Sequence, residues 1–394
     1  MLLLQFYLWG GVKMCFSCNN TSLPIFTTRP FDISLDDSWE PKGISKKVEN
    51  SKYMIPKPYL IMRNVRVISS CIHRCAAIDN DDILWVWGAN SIAQMNGVFS
   101  NDFPQNIQRS PQKIMENVLD VSCGGWHTLC ITKDNNLWGW GENGYGQLGV
   151  GDIRDRNAPT FIMDKVVSIF ANEYQSFAIR EDHTLWGWGF NQSKTLLDDS
   201  KYLTTPKLLM NDVTRVSASS CVVAAIKQGG FLWMWGSNTH NTLFTKPQFH
   251  FYEPTLLMTD VVDISLPSSE NSEFALATGI SGDLYGFGNL QFLSKKLMSI
   301  YKQQGNKPLK LMRNVSSACA GNNFIFIEDL CGRTFALGHN EVGQCGTGKS
   351  SDVIREPIHI MTHVQQMAAG HCHGLGLQTN GDVWIWGGDY GMRE

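Results

Sequence analysis

The chain carries little charge, and its positive and negative charges nearly balance. Of its 394 residues 18% are charged, and 33 Lys and Arg stand against 36 Asp and Glu for a formal net charge of −3. Such a composition argues against nucleic acid or an anionic membrane as a partner, because both select basic surfaces. No apolar run reaches the roughly 18 residues that cross a bilayer, so we expect no membrane span.

Recognisable patterns for catalysis and metal binding are also scarce. No Ser-His-Asp arrangement or acid pair can be identified from spacing, since partners on different repeats meet only in space. Cys15 and Cys18 form a lone C-x-x-C pair without the two further ligands of a zinc site nearby. His371 and His373 are a possible metal pair, but His373 is in register with His127, which favours a strand residue hydrogen-bonded to a neighbouring turn. We therefore predict no catalytic residue, no metal and no cofactor.

What the chain does contain is a repeat. A Trp-Gly step, or its equivalent, recurs at intervals of 53, 48, 47, 52, 50 and 49 residues. Before each step comes a second marker, a proline followed by an apolar pair and a valine. Two markers in one phase, seven times over, indicate seven copies of one unit. The steps begin at Trp87, Trp140, Trp188, Trp235, Phe287, Leu337 and Trp386, and the markers begin at Pro58, Pro111, Pro159, Pro206, Pro254, Pro308 and Pro357.

A period near 50 residues with short apolar runs, broken by Gly, Asn and Asp, is typical of a propeller blade of four strands. In the clearest copy we place strands near 118–123, 127–132 and 136–140, with a further strand at the proline marker. The sequence therefore predicts an all-β fold, a seven-bladed β-propeller over 58–394 with an irregular N-terminal segment at 1–57. Because a ring must join its first and last blades, we expect part of 1–57 to pair with a terminal blade.

The tryptophans are paired in five of the seven units. In the segment LWGWG, Trp138 and Trp140 share one face of a strand. Such pairs could form an aromatic platform for sugars or bases. Their repetition, with other apolar residues substituting in two units, favours packing between blades.

One segment imitates a phosphate-binding loop. Residues 343–350 match the pattern G-x-x-x-x-G-K-S. That pattern binds phosphate when a helix N-terminus follows it. Here Pro357 opens the next repeat shortly afterwards, so we interpret the segment as a turn of the repeat.

The 11 cysteines cannot all pair internally, because their number is odd. Cys71, Cys123, Cys221 and Cys319 lie at related points of the repeat, which suggests small residues of the core. Thiols kept in a core favour a reducing compartment, and so a cytoplasmic location over a secreted one. The apolar start MLLLQFYLWGGV leaves a signal peptide open as the alternative.

These repeats resemble the regulator of chromosome condensation repeat family, which forms seven-bladed β-propellers. The resemblance is strongest in GGWHTLCITKDNNLWGWGENGYGQLG, recurs in GHNEVGQCGTG, and is similar in its paired tryptophans to bacterial members. Units three to five have FNQSKTLL, SNTHNTLF and NLQFLSKK where the Gly-Gln-Leu-Gly turn would stand. We expect their loops to be reshaped.

The resemblance implies several functions. The founding member exchanges nucleotide on a Ran-type GTPase and docks on chromatin. In this chain residues 1–57 hold 7 Lys and Arg against 5 Asp and Glu, a balance that does not favour binding to chromatin. No residue of this sequence can be matched to a residue that acts in nucleotide exchange. A plant ultraviolet-B receptor repeats Gly-Trp-Arg-His-Thr, which this chain approaches once, at 125–128, without the arginine. Secreted members inhibit a protein target such as a β-lactamase. Their common feature is recognition of another protein.

The sequence thus predicts a monomeric, non-catalytic scaffold that binds a protein partner, with a small GTPase as one candidate, through one rim of the ring. The alternatives are a guanine-nucleotide exchange regulator and, third, a secreted inhibitor or light-sensing propeller. The rim loops to test are 101–109, 145–156 and 292–304. The candidate contact residues are Asn101, Arg109, Tyr145, Arg154, Arg156, Lys295, Lys296 and Tyr301.

Overall fold

In the computed structural model the chain forms seven antiparallel sheets of four strands each. The seven-bladed β-propeller expected from the repeats is confirmed. The sheets lie in one compact unit, Ser51–Glu394. The structure describes residues 54–72, 74–89, 107–191, 193–238, 250–268, 274–305 and 307–388.

The strands follow one another in chain order from the inner to the outer edge of each blade. Blade 1 holds β2 (Val65–Cys71), β3 (Arg74–Asp79), β4 (Leu84–Ala89) and β5 (Ile107–Met115), and blade 2 holds β6 (Val118–Cys123), β7 (His127–Thr132), β8 (Leu137–Gly141) and β9 (Arg156–Met163). Blade 3 holds β10 (Val166–Ala171), β11 (Gln175–Arg180), β12 (Leu185–Phe190) and β13 (Tyr202–Met210). Blade 4 holds β14 (Val213–Ala218), β15 (Val222–Lys227), β16 (Phe231–Ser237) and β17 (His250–Met258).

The remaining blades continue the pattern, with one helix and one exchanged strand. Blade 5 holds β18 (Val261–Ser265), β19 (Phe274–Gly279), β20 (Leu284–Gly288), the helix α1 (Lys295–Gln303) and β21 (Leu309–Met312). Blade 6 holds β22 (Val315–Ala320), β23 (Phe324–Asp329), β24 (Arg333–Asn340) and β25 (Ser351–Thr362). Blade 7 holds β26 (Val364–Ala369), β27 (His373–Gln378), β28 (Val383–Gly388) and, as its outer strand, β1 (Met54–Met62).

The ring closes because β1 pairs with β28, with Met54 opposite Gly388 and Leu60 opposite Trp384. Each proline-marker strand is likewise the outer strand of the blade before it, as when β9 pairs with β8. The sequence unit and the blade are therefore offset by one strand. The boundary at 57/58 stays a prediction, since residues 1–53 lie outside the described part of the chain.

The hydrophobic core lies between the blades. The second strands β3, β7 and β23 are buried at all six of their residues, because a neighbouring blade covers each face. Trp140, 1% exposed, packs from blade 2 against Cys71 and Val86 of blade 1. This double coverage explains apolar runs without strict alternation. No helix of the described residues is long and apolar enough to cross a membrane.

Inner strands of successive blades are joined by serine hydroxyls. The backbone N–H of Cys123 donates to Ser69 Oγ of the preceding blade over 3.0 Å. The same bond recurs from Ala171 to Ser122, from Leu266 to Ser217 and from Ala320 to Ser265, at 2.9–3.0 Å. Of the four cysteines expected in the core, Cys71 and Cys123 are buried, whereas Cys221 and Cys319 are half-buried.

Antiparallel strands send their connections alternately to two edges, so the propeller has two different rims. We call the edge that carries the turns between blades, and the turn from second to third strand, the closed rim. The opposite edge, which carries the connection from third to fourth strand, is the loop rim. The connections from third to fourth strand that lie within the described residues are 142–155, 191–201, 289–308 and 341–350, apart from residues 192 and 306.

The closed rim is built from backbone hydrogen bonds that repeat in all seven blades. The N–H of the first valine of each inner strand donates to a carbonyl in the preceding blade's turn, as Val118 does to Asp82 O over 3.0 Å. The residue before that valine has a positive φ between 56° and 63°. The other such bonds run from Val65 to Gly381, Val166 to Asn135, Val213 to His183, Val261 to Gly230, Val315 to Gly282 and Val364 to Gly332.

Candidate functional site

The loop rim is organised by buried asparagines. In blade 2 the Oδ1 atom of Asn143 accepts from the N–H of Leu148 at 2.9 Å, and its Nδ2 donates to Asp152 O at 2.8 Å. Asn143 is fully buried, so these bonds exclude water. In this blade glycine takes the positive-φ position at Gly149, with φ 71°, where a Cβ would lie 2.7 Å from Nε1 of Trp188.

Blade 3 builds the same turn without glycine. Asn191 Oδ1 accepts from the N–H of Leu196 at 2.8 Å, as Asn143 does from Leu148. Lys194 and Leu197 take the two positive-φ positions, at 54° and 52°. The prediction of a reshaped loop is therefore wrong for blade 3. Its turn has no glycine to adopt the positive-φ positions, and the hydrogen bonds of the Asn191 side chain stabilise the turn instead.

Indole N–H groups join the core to the loop rim. Trp188 Nε1 donates to the carbonyl of Gln147 in the preceding blade at 2.9 Å, and Trp386 Nε1 donates to that of Gln344 at 3.0 Å. Trp235 does the same to Thr195 at 2.7 Å. The inner tryptophan of each pair is at most 2% exposed, as expected of a packing residue, whereas the outer tryptophan of each pair is half-buried.

Of the three candidate residues on the loop of blade 2, two already contact other side chains of the propeller. The half-buried ring of Tyr145 meets those of Tyr174 and Phe190 from blade 3, at centroid distances of 5.2 and 4.9 Å. Arg156 Nη2 lies 2.9 Å from Asp152 Oδ2, which ties its guanidinium to its own loop. The side chain of Arg154 is exposed. The loop thus offers one exposed cation and the edge of an aromatic cluster.

The loop of blade 5 carries the other three candidates that the structure describes. Lys295 and Lys296 open α1 and are exposed. Tyr301 is only 3% exposed, and its hydroxyl accepts from the N–H of Gly288 at 2.7 Å. We therefore correct its assignment: Tyr301 belongs to the core and fixes the helix, since a buried phenol offers nothing to a partner.

The last two candidates belong to the long connection of blade 1. Asn101 lies outside the described residues. Arg109 lies on β5, and only its backbone is described. The loops 145–156 and 292–304 share the loop rim, a relation that spacing in the sequence does not reveal.

The segment that imitates a phosphate loop is a turn of the repeat, as expected. Cys345 N–H donates to Asn340 Oδ1 at 3.0 Å, matching the bond from Leu148 to Asn143. Lys349 O accepts from Asn340 Nδ2 at 2.8 Å. The strand β25 follows, so no helix N-terminus faces the glycines.

Two histidines at the start of second strands bridge blades. His127 Nε2 lies 2.8 Å from Ser176 Oγ, and His373 Nε2 lies 2.7 Å from Ser70 Oγ. Their partners lie on strands of the next blade, whereas the sequence predicts partners on a neighbouring turn. Burial lowers the pKa of His127 to about 3, and burial with the nearby His371 lowers the pKa of His373 to about 4. Both rings are neutral at pH 7. Within the described ranges no three His, Cys, Asp or Glu side chains are grouped to hold a metal.

Sequence reasoning missed the buried arginine of the loop-rim side. Arg74 begins β3, in the place that His127 takes in β7, and is 1% exposed. Its Nη2 donates to Gly125 O at 2.6 Å. Burial lowers the pKa of Arg74 to about 10, while Cys123, Cys71 and Glu142 act in the opposite direction. One arginine at the head of an apolar run was the only signal available.

Family models of the regulator of chromosome condensation (RCC1) repeat match residues 118–147 and 134–179. Residues 118–179 thus match the RCC1 repeat. The matched residues include the buried Asn143 turn and the Trp138–Trp140 pair, so the family signature coincides with the loop anchor and the core. 

Curated relatives match over part of their length. The ultraviolet-B receptor UVR8 of Arabidopsis thaliana is 34% identical over 125 residues, which is 31% of this chain and 28% of that protein. The probable E3 ubiquitin-protein ligase HERC6 of Homo sapiens is 32% identical over 104 residues, 25% of this chain and 10% of that protein. The matching part of the chain thus spans less than a third of either relative.

Solved structures agree over most of the chain. Prp20p of Saccharomyces cerevisiae superposes with a TM-score of 0.66 at 17% identity, over 82% of each chain. Human WBSCR16 gives a TM-score of 0.64 at 16% identity, over 84% of this chain and 89% of that one. At this identity the likeness establishes the fold.

Proposed function

We propose that the propeller is a non-catalytic recognition module that binds a partner protein through its loop rim. The main support for the proposal is that the turns of the loop rim repeat from blade to blade while the residues exposed on them vary. The asparagine turn is the same in blades 2, 3 and 6, yet the exposed residues above it differ from blade to blade. A rigid base with varied loops is how many folds present binding residues.

The contact residues that fit this role are few. Tyr145 offers aromatic area beside Tyr174 and Phe190, and Arg154 offers an exposed guanidinium. Tyrosine and arginine are enriched at protein interfaces, because each combines a large contact area with directed hydrogen bonds. Lys295 and Lys296 add positive charge on blade 5.

The test is affinity capture from the native extract, with crosslinks located by mass spectrometry. We expect crosslinks from one protein to cluster on the loop rim and the double variant Tyr145→Ala, Arg154→Glu to reduce its recovery. The control is Arg63→Glu, an equal charge change at a closed-rim side chain that is 77% exposed. Crosslinks concentrated on the closed rim, or equal losses for both variants, would contradict the proposal.

A guanine-nucleotide exchange regulator is the second candidate. The fold likeness to Prp20p supports it, because that structure was described together with binding to Gsp1p and histones. The discriminating measurement is release of labelled GDP from a GTPase captured on the loop rim. A rate increase that depends on the propeller favours exchange, whereas binding without a rate change favours the scaffold.

A further inference from the structure

The helix α1 on the loop rim exposes charge of one sign. Its sequence, KKLMSIYKQ, contains three lysines and no acidic residue. Lys295, Lys296 and Lys302 are all exposed, and the exposed Lys307 follows the helix. The apolar residues of α1 pack against the core of blades 5 and 6, so the lysines stand on the outward side.

The helix is fixed to the ring at both ends. Ser294 caps its N-terminus by accepting from the N–H of Leu297, and the buried Tyr301 bonds Gly288 near its C-terminus. Arg355 from blade 6 donates through Nη1 to Leu293 O at 3.0 Å and to Gln291 O at 3.2 Å, which holds the approach to the helix. The lysines therefore project from a rigid platform.

The lysines of α1 also lack an acidic partner within the described part of the chain. No carboxylate in the described part of the chain forms an ion pair with Lys295, Lys296 or Lys302. Six lysines on other surfaces have acidic partners within the chain. These paired lysines are Lys113, Lys133, Lys194, Lys207, Lys227 and Lys310.

Two of the three stand where the helix itself disfavours them. The N-terminal end of a helix carries partial positive charge, so a cation there is disfavoured. Lys295 and Lys296 occupy the first turn, and no acidic residue of that turn compensates them. An external carboxylate would satisfy both the lysines and the helix end.

We propose that the exposed face of α1 docks an acidic segment, a short run of Asp and Glu, of a partner protein. This inference rests on the proposed function and names the chemistry of one contact on the loop rim. The helix has 9 residues, a length of about 13 Å that an extended run of about four residues would cover. Lysines suit such a run, because point charges on flexible stems need no fixed carboxylate geometry.

Other anionic surfaces fit α1 less well. Membrane-surface helices insert an apolar face, whereas that face of α1 is turned into the blades. A nucleic-acid backbone would extend over other loops of the loop rim, where acidic side chains such as Asp155 and Asp199 are exposed and repel phosphate. A short acidic peptide can engage α1 without reaching them.

The test uses the full chain and a fluorescein-labelled peptide of about twelve residues in which Asp and Glu alternate with Gly and Ser, followed by anisotropy at low salt. We expect saturable binding that weakens as salt rises, and a loss of about tenfold or more in the triple variant Lys295→Glu, Lys296→Glu, Lys302→Glu. A peptide with Asn and Gln in place of the acids should not bind.

The matched control carries the same charge change at exposed lysines outside α1: Lys57→Glu, Lys165→Glu, Lys201→Glu. Absence of acidic-peptide binding to the wild type, or equal weakening in both triple variants, overturns the proposal. Thermal melting of each variant verifies that it is folded. If the peptide fails while the Tyr145 and Arg154 variant still loses its captured partner, this inference falls and the proposed function stands.

Discussion

The two rims of this propeller are stabilised in different ways. The closed rim repeats one backbone pattern in every blade, with a valine N–H donating across to the preceding turn. The loop rim relies on side chains instead, on the amides of Asn143, Asn191 and Asn340 and on indole N–H groups from the next blade. Backbone bonds form whatever the side chains, whereas the loop rim depends on a few particular residues.

This difference teaches where the sequence is free to vary. At the closed rim, the turns between blades have one or two residues, which leaves little length for variation, and one residue of each must adopt a positive φ. At the loop rim a single buried asparagine fixes the turn, so the positions around it can carry Gly, Lys, Tyr or Arg. The separation of a fixed anchor from free positions suits a recognition surface.

The largest loss of stability is expected from a substitution in the core between two blades, which supports both rims. Trp140→Ala deletes a side chain that is 1% exposed at the interface of blades 1 and 2. Large-to-small changes of this kind cost about 3–5 kcal/mol. Denaturant unfolding measures the loss, and hydrogen exchange should show weaker protection at both rims.

The control for this change is the outer tryptophan of the same pair. Trp138 is half-buried and meets Phe161 edge-on at 5.7 Å. Trp138→Ala should cost less than half as much, because less of its surface leaves water on folding. A loss below about 1 kcal/mol for Trp140→Ala would mean that this indole is exposed in solution, and would favour the aromatic-platform interpretation.

The sequence predicted the blades well because the Trp-Gly step marks one strand in each. It did not predict the offset of blade and repeat, since spacing does not say which neighbour the proline-marker strand pairs with. The prediction from the sequence was wrong for the loop of blade 3. The loop lacks the glycines of the repeat, and this absence suggested a different conformation, although Asn191 completes the same Trp-Gly-x-Asn pattern as Asn143. Tyr301 was assigned to the surface although its neighbours formed a helical apolar face, and only the packing of α1 shows which side is buried.

The second effect should be confined to the loop rim. Asn143→Ala leaves the buried N–H of Leu148 without its acceptor, at a cost of about 2 kcal/mol. The counterpart on the closed rim is Asn117→Ala, an exposed residue at φ 60° whose side chain anchors no loop. It should cost about 1 kcal/mol, from the disfavoured backbone alone. Equal losses, measured by urea unfolding, would show that side-chain anchoring does not distinguish the rims.

A third effect concerns pH and the loop-rim end of β7. Burial holds the pKa of His127 near 3, below its ordinary value of 6.5, so on acidification the unfolded chain takes up a proton first. The stability that the neutral His127 ring contributes is fully present above about pH 6.5, and it is lost as the pH falls toward the pKa of His127 in the folded protein. Between about pH 7 and pH 5 we expect the wild type to lose about 1–2 kcal/mol more than His127→Gln. Parallel pH profiles for the two proteins would mean that the ring is charged inside the fold.

The smallest effect concerns backbone strain in the loop of blade 3, where a residue other than glycine has a positive φ. Lys194 has φ 54° where blades 2 and 6 have Gly146 and Gly343, and its ammonium pairs with the exposed Asp199. Lys194→Ala and Lys194→Gly lose the same side-chain contacts, but only glycine relieves the backbone. We expect the glycine variant to be the more stable of the two by about 1 kcal/mol. The reverse order in urea unfolding would show that Asn191 alone makes this conformation as favourable as glycine does, and that a loop-rim anchor can replace backbone freedom entirely.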